Sequence, residues 1–448
     1  MKRTEGEEVN VQLISIAEYK SRRQALCRQI GPDAHALIVS APAPNDRAPF
    51  RQYNDFYYLC GVAVPQSYLL IEGRTGKATL FLPDSAALSR ESNEVWLHAD
   101  DAVTAQSATG IDTVLERKHL SGALAAVRVL YTFLRDGEGL KTDVRSITDA
   151  QRQIEMDPWD GRPSRGGWFV SLLQSRFPGI EILDLAPIVY AMRMIKSDSE
   201  IALLRMAGEL SAKALIEAMR MTRPGVFEYE LAAAMQYQYL AGGARDNSYA
   251  PIVATGANIV NAHYCANNCE LVAGDLVLAD CAPDYHYYTS DITRMWPVNG
   301  TYTPEQRTLY GFVTEFHKAL LDAIRPGRTC EEIEIEAAEC MRLRLGEFDF
   351  ATAAQRKGVQ EMIACRNHLA HSVGLSVHDG LSHKQGPLKA GMVFAVDPQL
   401  YVREEGLYIR VEDTGVVTQD GFEVFTSGVT LDLDEIEKLC QSRLSSDI

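Results

Sequence analysis

Short apolar runs separated by glycine and proline dominate the first part of the chain. Residues 36–39, 67–71 and 78–82 are apolar runs of strand length. Gly73, Gly76 and Pro83 punctuate them. Residues 19–30 have the spacing of a basic amphipathic helix. Residues 136–165 are polar and weakly periodic, which predicts a loop-rich excursion. Up to about residue 185 the pattern is that of a mixed α/β domain.

The second part reads differently. Ser197 followed by Glu200 is a capping box, in which each side chain satisfies a free N–H at a helix start. Ile201, Leu204, Leu210, Leu215 and Met219 continue a helical stripe until Pro224-Gly225 stops it. A second helix is predicted from Thr303-Pro304 to before Pro326-Gly327, and a third from Thr329, with Glu332 in the capping-box position. Strand-like runs cover residues 275–282, 287–298, 392–402 and 407–417. Helices on a largely antiparallel sheet predict an α+β domain. The chain has 448 residues, too many for one ordinary core, and the expected division is 1–188 and 189–448.

Composition narrows the function. A net charge of −16 disfavours nucleic acid, because nothing offsets repulsion from phosphates. No apolar run has the length of a bilayer span, and residues 1–12 lack the apolar core of a secretory signal. The nine cysteines are scattered, and only Cys265 and Cys269 lie close together. They read as reduced thiols of a cytoplasmic protein.

Candidate chemistry lies in the second part. Asp280 and Asp291 each interrupt an apolar or β-prone run, and a carboxylate in such a strand is costly to bury unless it is paired or bound to a metal. The residues between them are enough for a tight connection between adjacent strands. Asp397 interrupts the apolar run 392–396 in the same way. In Arg410-Val411-Glu412, alternation puts Arg410 and Glu412 on one face, where the cation keeps the carboxylate ionised. His371 and His378 add imidazole, the commonest neutral ligand for a transition metal. Taken singly, each of these residues also fits a salt-bridged acid or a satisfied core histidine. Together, four carboxylates and one imidazole match the charge of two divalent ions. Such a pair, ~3.5–4 Å apart, activates water and clamps both ends of a hydrolytic displacement.

The stretches around His263, 274–280, 290–294, 371–378, 391–393 and 410–413 resemble the pita-bread metallopeptidases, most closely aminopeptidase P and prolidase, in order and spacing. The likeness extends to residues 196–208, 224–229, 51–58 and Trp96. It implies a creatinase/aminopeptidase P-like N-terminal α/β domain and a catalytic pita-bread domain. It implies metal ligation by Asp280, Asp291, His371, Asp397 and Glu412, with Asp291 and Glu412 bridging two ions, manganese first and zinc or cobalt next. His263 and His378 would hold the substrate carbonyl and the tetrahedral intermediate. Glu412 would shuttle the proton, and Arg410 would support the ligands from behind. The implied substrate is a peptide with proline at its second position. The implied assembly is a homodimer or homotetramer, with Phe56-Tyr57-Tyr58-Leu59 and Trp96 bordering a neighbour's cleft.

This chain departs from the family pattern in three places. Asp397 stands where glutamate is usual, Gln399 where glycine is usual, and Asn367 where the peptidases tend to carry a histidine. Three alternatives remain open at this point. They are an Xaa-Pro dipeptidase, a metal-free creatinase-like amidinohydrolase, and a non-catalytic binding protein on the same fold.

Overall fold

The computed structural model describes residues 14–43, 49–88 and 96–442. The N-terminal stretch 1–12 considered above lies outside them. The chain forms two compact units, Met1–Arg193 and Met194–Ile448. The expected division at 188/189 falls inside the helix Ala186–Met194, so the break comes near that helix's end.

The first unit is built on a six-stranded mixed sheet of β1 (Ala34–Val39), β2 (Tyr68–Glu72), β3 (Ala78–Leu82), β4 (Thr113–Glu116), β5 (Val129–Thr132) and β6 (Glu181–Asp184), in the order β4-β3-β2-β1-β5-β6. Leu37, Leu70, Phe81 and Leu130 from this sheet pack with Leu124, Val127 and Leu173. The helix Ile16–Ile30 covers the expected amphipathic stretch and leaves Lys20 and Arg28 exposed, but two of its basic residues do not face solvent. Arg22 and Arg23 turn inward and donate to the carbonyls of Tyr58 (3.1 Å) and Leu59 (3.0 Å), in the last turn of the helix Asn54–Cys60. Carbonyls there lack helical partners and carry the negative end of the helix dipole, so a cation is favoured. Phe56, Tyr58 and Leu59 of that helix are core residues.

Residues 136–165 hold a helix, Val144–Met156, where a loop was expected. Its start is fixed by Asp143 accepting from the Ser146 amide (2.7 Å) and Ser146 accepting from the Asp143 amide (2.9 Å). This capping box lacks the Glu or Gln that marks the usual pattern, and the helix has no fully buried residue, only a half-buried stripe of Val144, Ile147 and Ile154.

The second unit is α+β. Its main sheet contains β7 (Ile252–Thr255), β8 (Leu276–Asp280), β9 (Ile292–Pro297), β10 (Leu369–Ser372) and β11 (Val393–Val396). A separate ribbon pairs β12 (Gln399–Val402) with β13 (Leu407–Arg410). The main sheet is completed by β14 (Glu412–Val417) and β15 (Phe422–Val424). Its order is β10-β11-β14-β9-β8-β7, with β15 on β14, and every pairing is antiparallel. The predicted helices are present as Asp198–Met221, Pro304–Ala323 and Cys330–Arg344. Ser197 and Glu200 form the expected capping box (3.3 and 3.0 Å).

Three strand-like runs are interrupted. The run 392–402 is split at Asp397-Pro398, and proline, which cannot donate to a ladder, ends β11. The run 407–417 changes partner at Val411, where β13 of the ribbon passes into β14 of the main sheet. The run 287–298 begins as a strand only at Ile292, because His286 (φ 48°) and Tyr287 (φ 76°) form a left-handed turn.

Candidate metal centre

Register brings the acids together. Thr293 on β9 lies opposite Asp280 of β8 on one side and Glu412 of β14 on the other. Asp291 stands two residues before Thr293, where strand alternation turns its side chain the same way. All four acids, Asp280, Asp291, Asp397 and Glu412, are at most 5 % exposed. His371 on β10 places Nε2 3.4 Å from Asp291 Oδ2 and 3.9 Å from Glu412 Oε1. One donor atom each from Asp291, His371 and Glu412 lies within 4.8 Å of the others. His371 Nδ1 faces the Ser372 carbonyl at 3.4 Å, an arrangement that leaves the Nε2 lone pair toward the acids.

Among the described residues, Arg410 is the one arginine or lysine that pairs with these acids, and it reaches three of the four. Arg410 donates through Nη1 to Asp280 Oδ2 (2.8 Å), through Nε to Asp397 Oδ1 (2.9 Å) and through Nη2 to Glu412 Oε2 (2.5 Å). Those carboxylates hold its guanidinium well above the usual range although burial opposes them. Burial pushes Asp291 and Glu412 well up, and neighbouring carboxylates add to the rise. Burial also raises Asp397. The His371 imidazole is held neutral, by burial first and then by His378.

Two further observations show a shortage of positive charge. The Tyr249 hydroxyl is 2.6 Å from Asp280 Oδ1 and 2.5 Å from Asp291 Oδ1, yet a phenol has a single proton to donate. Glu412 Oε1 is buried without a hydrogen-bond partner among the described residues, and it is the oxygen turned to His371. An unsatisfied buried carboxylate oxygen beside a neutral imidazole and a second acid is the donor set of a divalent metal. The residues present therefore fit a metal.

Asp280 and Asp397 stand at the edge of this group, each with an oxygen engaged by Arg410. Asp397 also borders a cavity of about 290 Å³ shared with Asn367, His368, Gln399, Tyr401 and Arg403. The His378 ring meets the His371 ring edge to face, with centroids 4.1 Å apart. His263 sits on an exposed turn after the short helix Gly256–Val260. No contact joins it to the acids among the described residues, but Cys265, two residues on, has its thiol raised by burial and by the Asp280 charge. Glu228 pins this loop. It is fully buried and accepts from the Thr255 amide (2.9 Å), the Cys269 amide (3.0 Å) and the Tyr264 hydroxyl (2.8 Å).

Sequence comparison resolves what this centre belongs to. The Metallopeptidase family M24 profile matches residues 202–419, and the aminopeptidase P N-terminal domain profile matches 19–129. The Xaa-Pro aminopeptidase of Escherichia coli (strain K12) is 34% identical, over 95% of this chain and 98% of that protein. This chain belongs to the aminopeptidase P family. Among its relatives, Xaa-Pro aminopeptidase 3 of Homo sapiens is 29% identical over 95% of this chain and 86% of that protein. The solved aminopeptidase P from E. coli with the inhibitor Pro-Leu superposes with a TM-score of 0.76 at 31% identity, covering 96% of this chain and 99% of that one. As a member of the aminopeptidase P family the protein is a metal-dependent exopeptidase, with the family's N-terminal domain followed by its M24 domain.

Proposed function

We propose that this metallo-aminopeptidase removes the N-terminal residue that precedes proline, using two divalent ions, manganese first, held by Asp280, Asp291, His371, Asp397 and Glu412. The observation that carries the reading is the cluster of Asp291, His371 and Glu412, with a buried Glu412 oxygen that has no other partner among the described residues. When bound, the ions supply Lewis-acid activation of water and of the scissile carbonyl.

The chain's own residues divide the remaining work. Thr293 Oγ1 (2.9 Å) and Arg410 Nη2 occupy Glu412 Oε2, so only Oε1 is left to bind an ion or take up a proton. Arg410 fixes Asp280, Asp397 and Glu412 against one planar group, which sets their spacing before substrate arrives. His378, half-buried against His371, would donate to the substrate carbonyl. His263 is assigned the matching role from the loop that Glu228 anchors. The E. coli relative is named for Xaa-Pro cleavage and was solved with Pro-Leu, which supports the same substrate class here. The protein is further assigned to the cytoplasm and to a homodimer or homotetramer. Tyr57 and Trp96 are the only partly exposed members of the aromatic set expected at a subunit border, and Trp96 packs edge to face on Phe50 at 5.3 Å.

The test is metal analysis of protein purified without chelator, followed by assays on X-Pro-Y tripeptides and X-Pro dipeptides. About two ions per chain, with tripeptides cleaved faster than dipeptides, is the expected result. Dipeptide preference would instead make it a dipeptidase, and hydrolysis undiminished after chelation would end the metal reading.

A further inference from the structure

We infer that Gln399 is a positioning residue for the metal centre, one half of a clamp that aims the Asp397 carboxylate. The inference rests on the dinuclear reading above and names the device that lets an aspartate serve at that position.

Asp397 lies in the gap between β11 and β12, immediately before Pro398. The ribbon that follows pairs Gln399 directly with Arg410 across its two strands. This cross-strand pair grips one carboxylate from both sides. Arg410 Nε donates to Oδ1 at 2.9 Å, and Gln399 Nε2 donates to Oδ2 at 2.5 Å. The orientation of the Gln399 amide is itself fixed, because Tyr401 donates its hydroxyl to Oε1 at 3.2 Å. Tyr401 is held in turn by its own cross-strand partner Tyr408, with ring centroids 4.5 Å apart.

A chain of defined polarity therefore runs from a tyrosine hydroxyl through an amide to a carboxylate. Each oxygen of Asp397 keeps a lone-pair direction beyond the one its donor uses, so the clamp orients the acid without consuming it. Aspartate reaches one methylene less far than glutamate, and its carboxylate has fewer torsions to fix. With the amide present, the short acid is held at one angle. Without it, the carboxylate rotates against Arg410 alone and opens toward the adjacent cavity. The geometry also implies that Gln399 fills the space a longer acid needs. Asp397 and Gln399 are thus a matched pair, and changing either alone spoils the fit.

The experiment is titration of Mn2+ into metal-stripped full-length protein, followed by calorimetry and by electron paramagnetic resonance, so that no activity is needed. Thermal melts of each stripped variant check folding. Two ions bind wild type. Gln399→Gly weakens the weaker ion about tenfold, the scale on which partners behind a metal ligand act, and leaves the tighter one within about twofold. Gln399→Glu, of equal size but with no donor, weakens it at least as much. Asp397→Glu alone also weakens it, whereas Asp397→Glu with Gln399→Gly recovers affinity to within about threefold of wild type, a coupling that independent sites do not show. Two ions in wild type with unchanged affinities in Gln399→Gly and Gln399→Glu would overturn this inference and leave the proposed function standing. So would a double variant whose losses simply add. A wild type that takes up no Mn2+, Co2+ or Zn2+ would overturn the proposed function and this inference with it.

Discussion

Asp291 and His371 illustrate how a single side chain is committed by its neighbours. Asp291 faces both His371 and Tyr249, and Tyr249 also reaches Asp280, so removing Asp291 disturbs both sides of the centre. Asp291→Ala is expected to lower kcat/KM by at least about a thousandfold, the scale of losing a group that acts only as part of a unit, and to reduce bound metal below one ion per chain. His371→Ala should mainly weaken one ion, leaving about one per chain. Retention of wild-type metal content in both variants would rule out the site. Asp280, Asp291 and Asp397 are legible in the sequence because a charge inside an apolar run demands a compensating partner, Glu412 through its alternation with Arg410, and His371 as an imidazole in the metallopeptidase-like stretch 371–378. Arg410 was legible through strand alternation. Tyr249 was missed, since a tyrosine in Ser248-Tyr249-Ala250 creates no such demand and only the fold shows both carboxylates on its hydroxyl. Gln399 was noticed as a departure, but its amide contact depends on ribbon pairing that residue spacing does not reveal.

At the level of elements, capped helices were readable and strand ends were not. The helices after Ser197, Thr303 and Thr329 begin where their capping residues stand. The runs 392–402 and 407–417 look continuous because apolar patterning does not record a change of partner strand. They break at Asp397-Pro398 and at Val411, and those breaks deliver Asp397, Arg410 and Glu412 to one place. The helix Val144–Met156 is hard to see in the sequence because its apolar stripe is short and only half-buried and its cap lacks Glu or Gln. The two kinds of helix should respond differently to loss of a cap. Ser197→Ala removes the cap of a helix with many buried residues and should lower the unfolding free energy by about 1 kcal/mol. Asp143→Ala should fray a helix with no fully buried residue and shift the cooperative transition less. Denaturant melts of the two variants check this, and an equal shift would refute it.

On the scale of the whole molecule, the described residues contain no helix long and apolar enough to cross a membrane. Stability should depend on pH through buried histidines. Burial lowers His317 to about 4, His368 to about 4 and His383 to about 3. A histidine depressed in the folded state binds its proton mainly after unfolding. Its stabilising effect is therefore full above the unfolded value near 6.5 and is lost as pH falls from there toward 3–4. On an order-of-magnitude basis each such group is worth roughly 3 to 5 kcal/mol across its window. Unfolding measured at pH 7.5, 6 and 5 should show falling stability. His383→Phe, which keeps a ring stacked on Phe394, should flatten that slope. An unchanged slope in the variant would refute the assignment.

Glu228 carries a consequence of another kind. Its two oxygens tie down three donors on the segment that bears His263, without touching any of the five proposed metal donors. The tether acts on how often that segment strays, so it sets a rate of excursion and leaves the composition of the centre alone. In Glu228→Gln one oxygen becomes an amide nitrogen, and amide protons between residues 264 and 269 should exchange with deuterium faster while bound metal is unchanged. Turnover would then fall more steeply on warming than in the parent enzyme, which makes this residue a setting for working temperature, separable from the chemistry it serves.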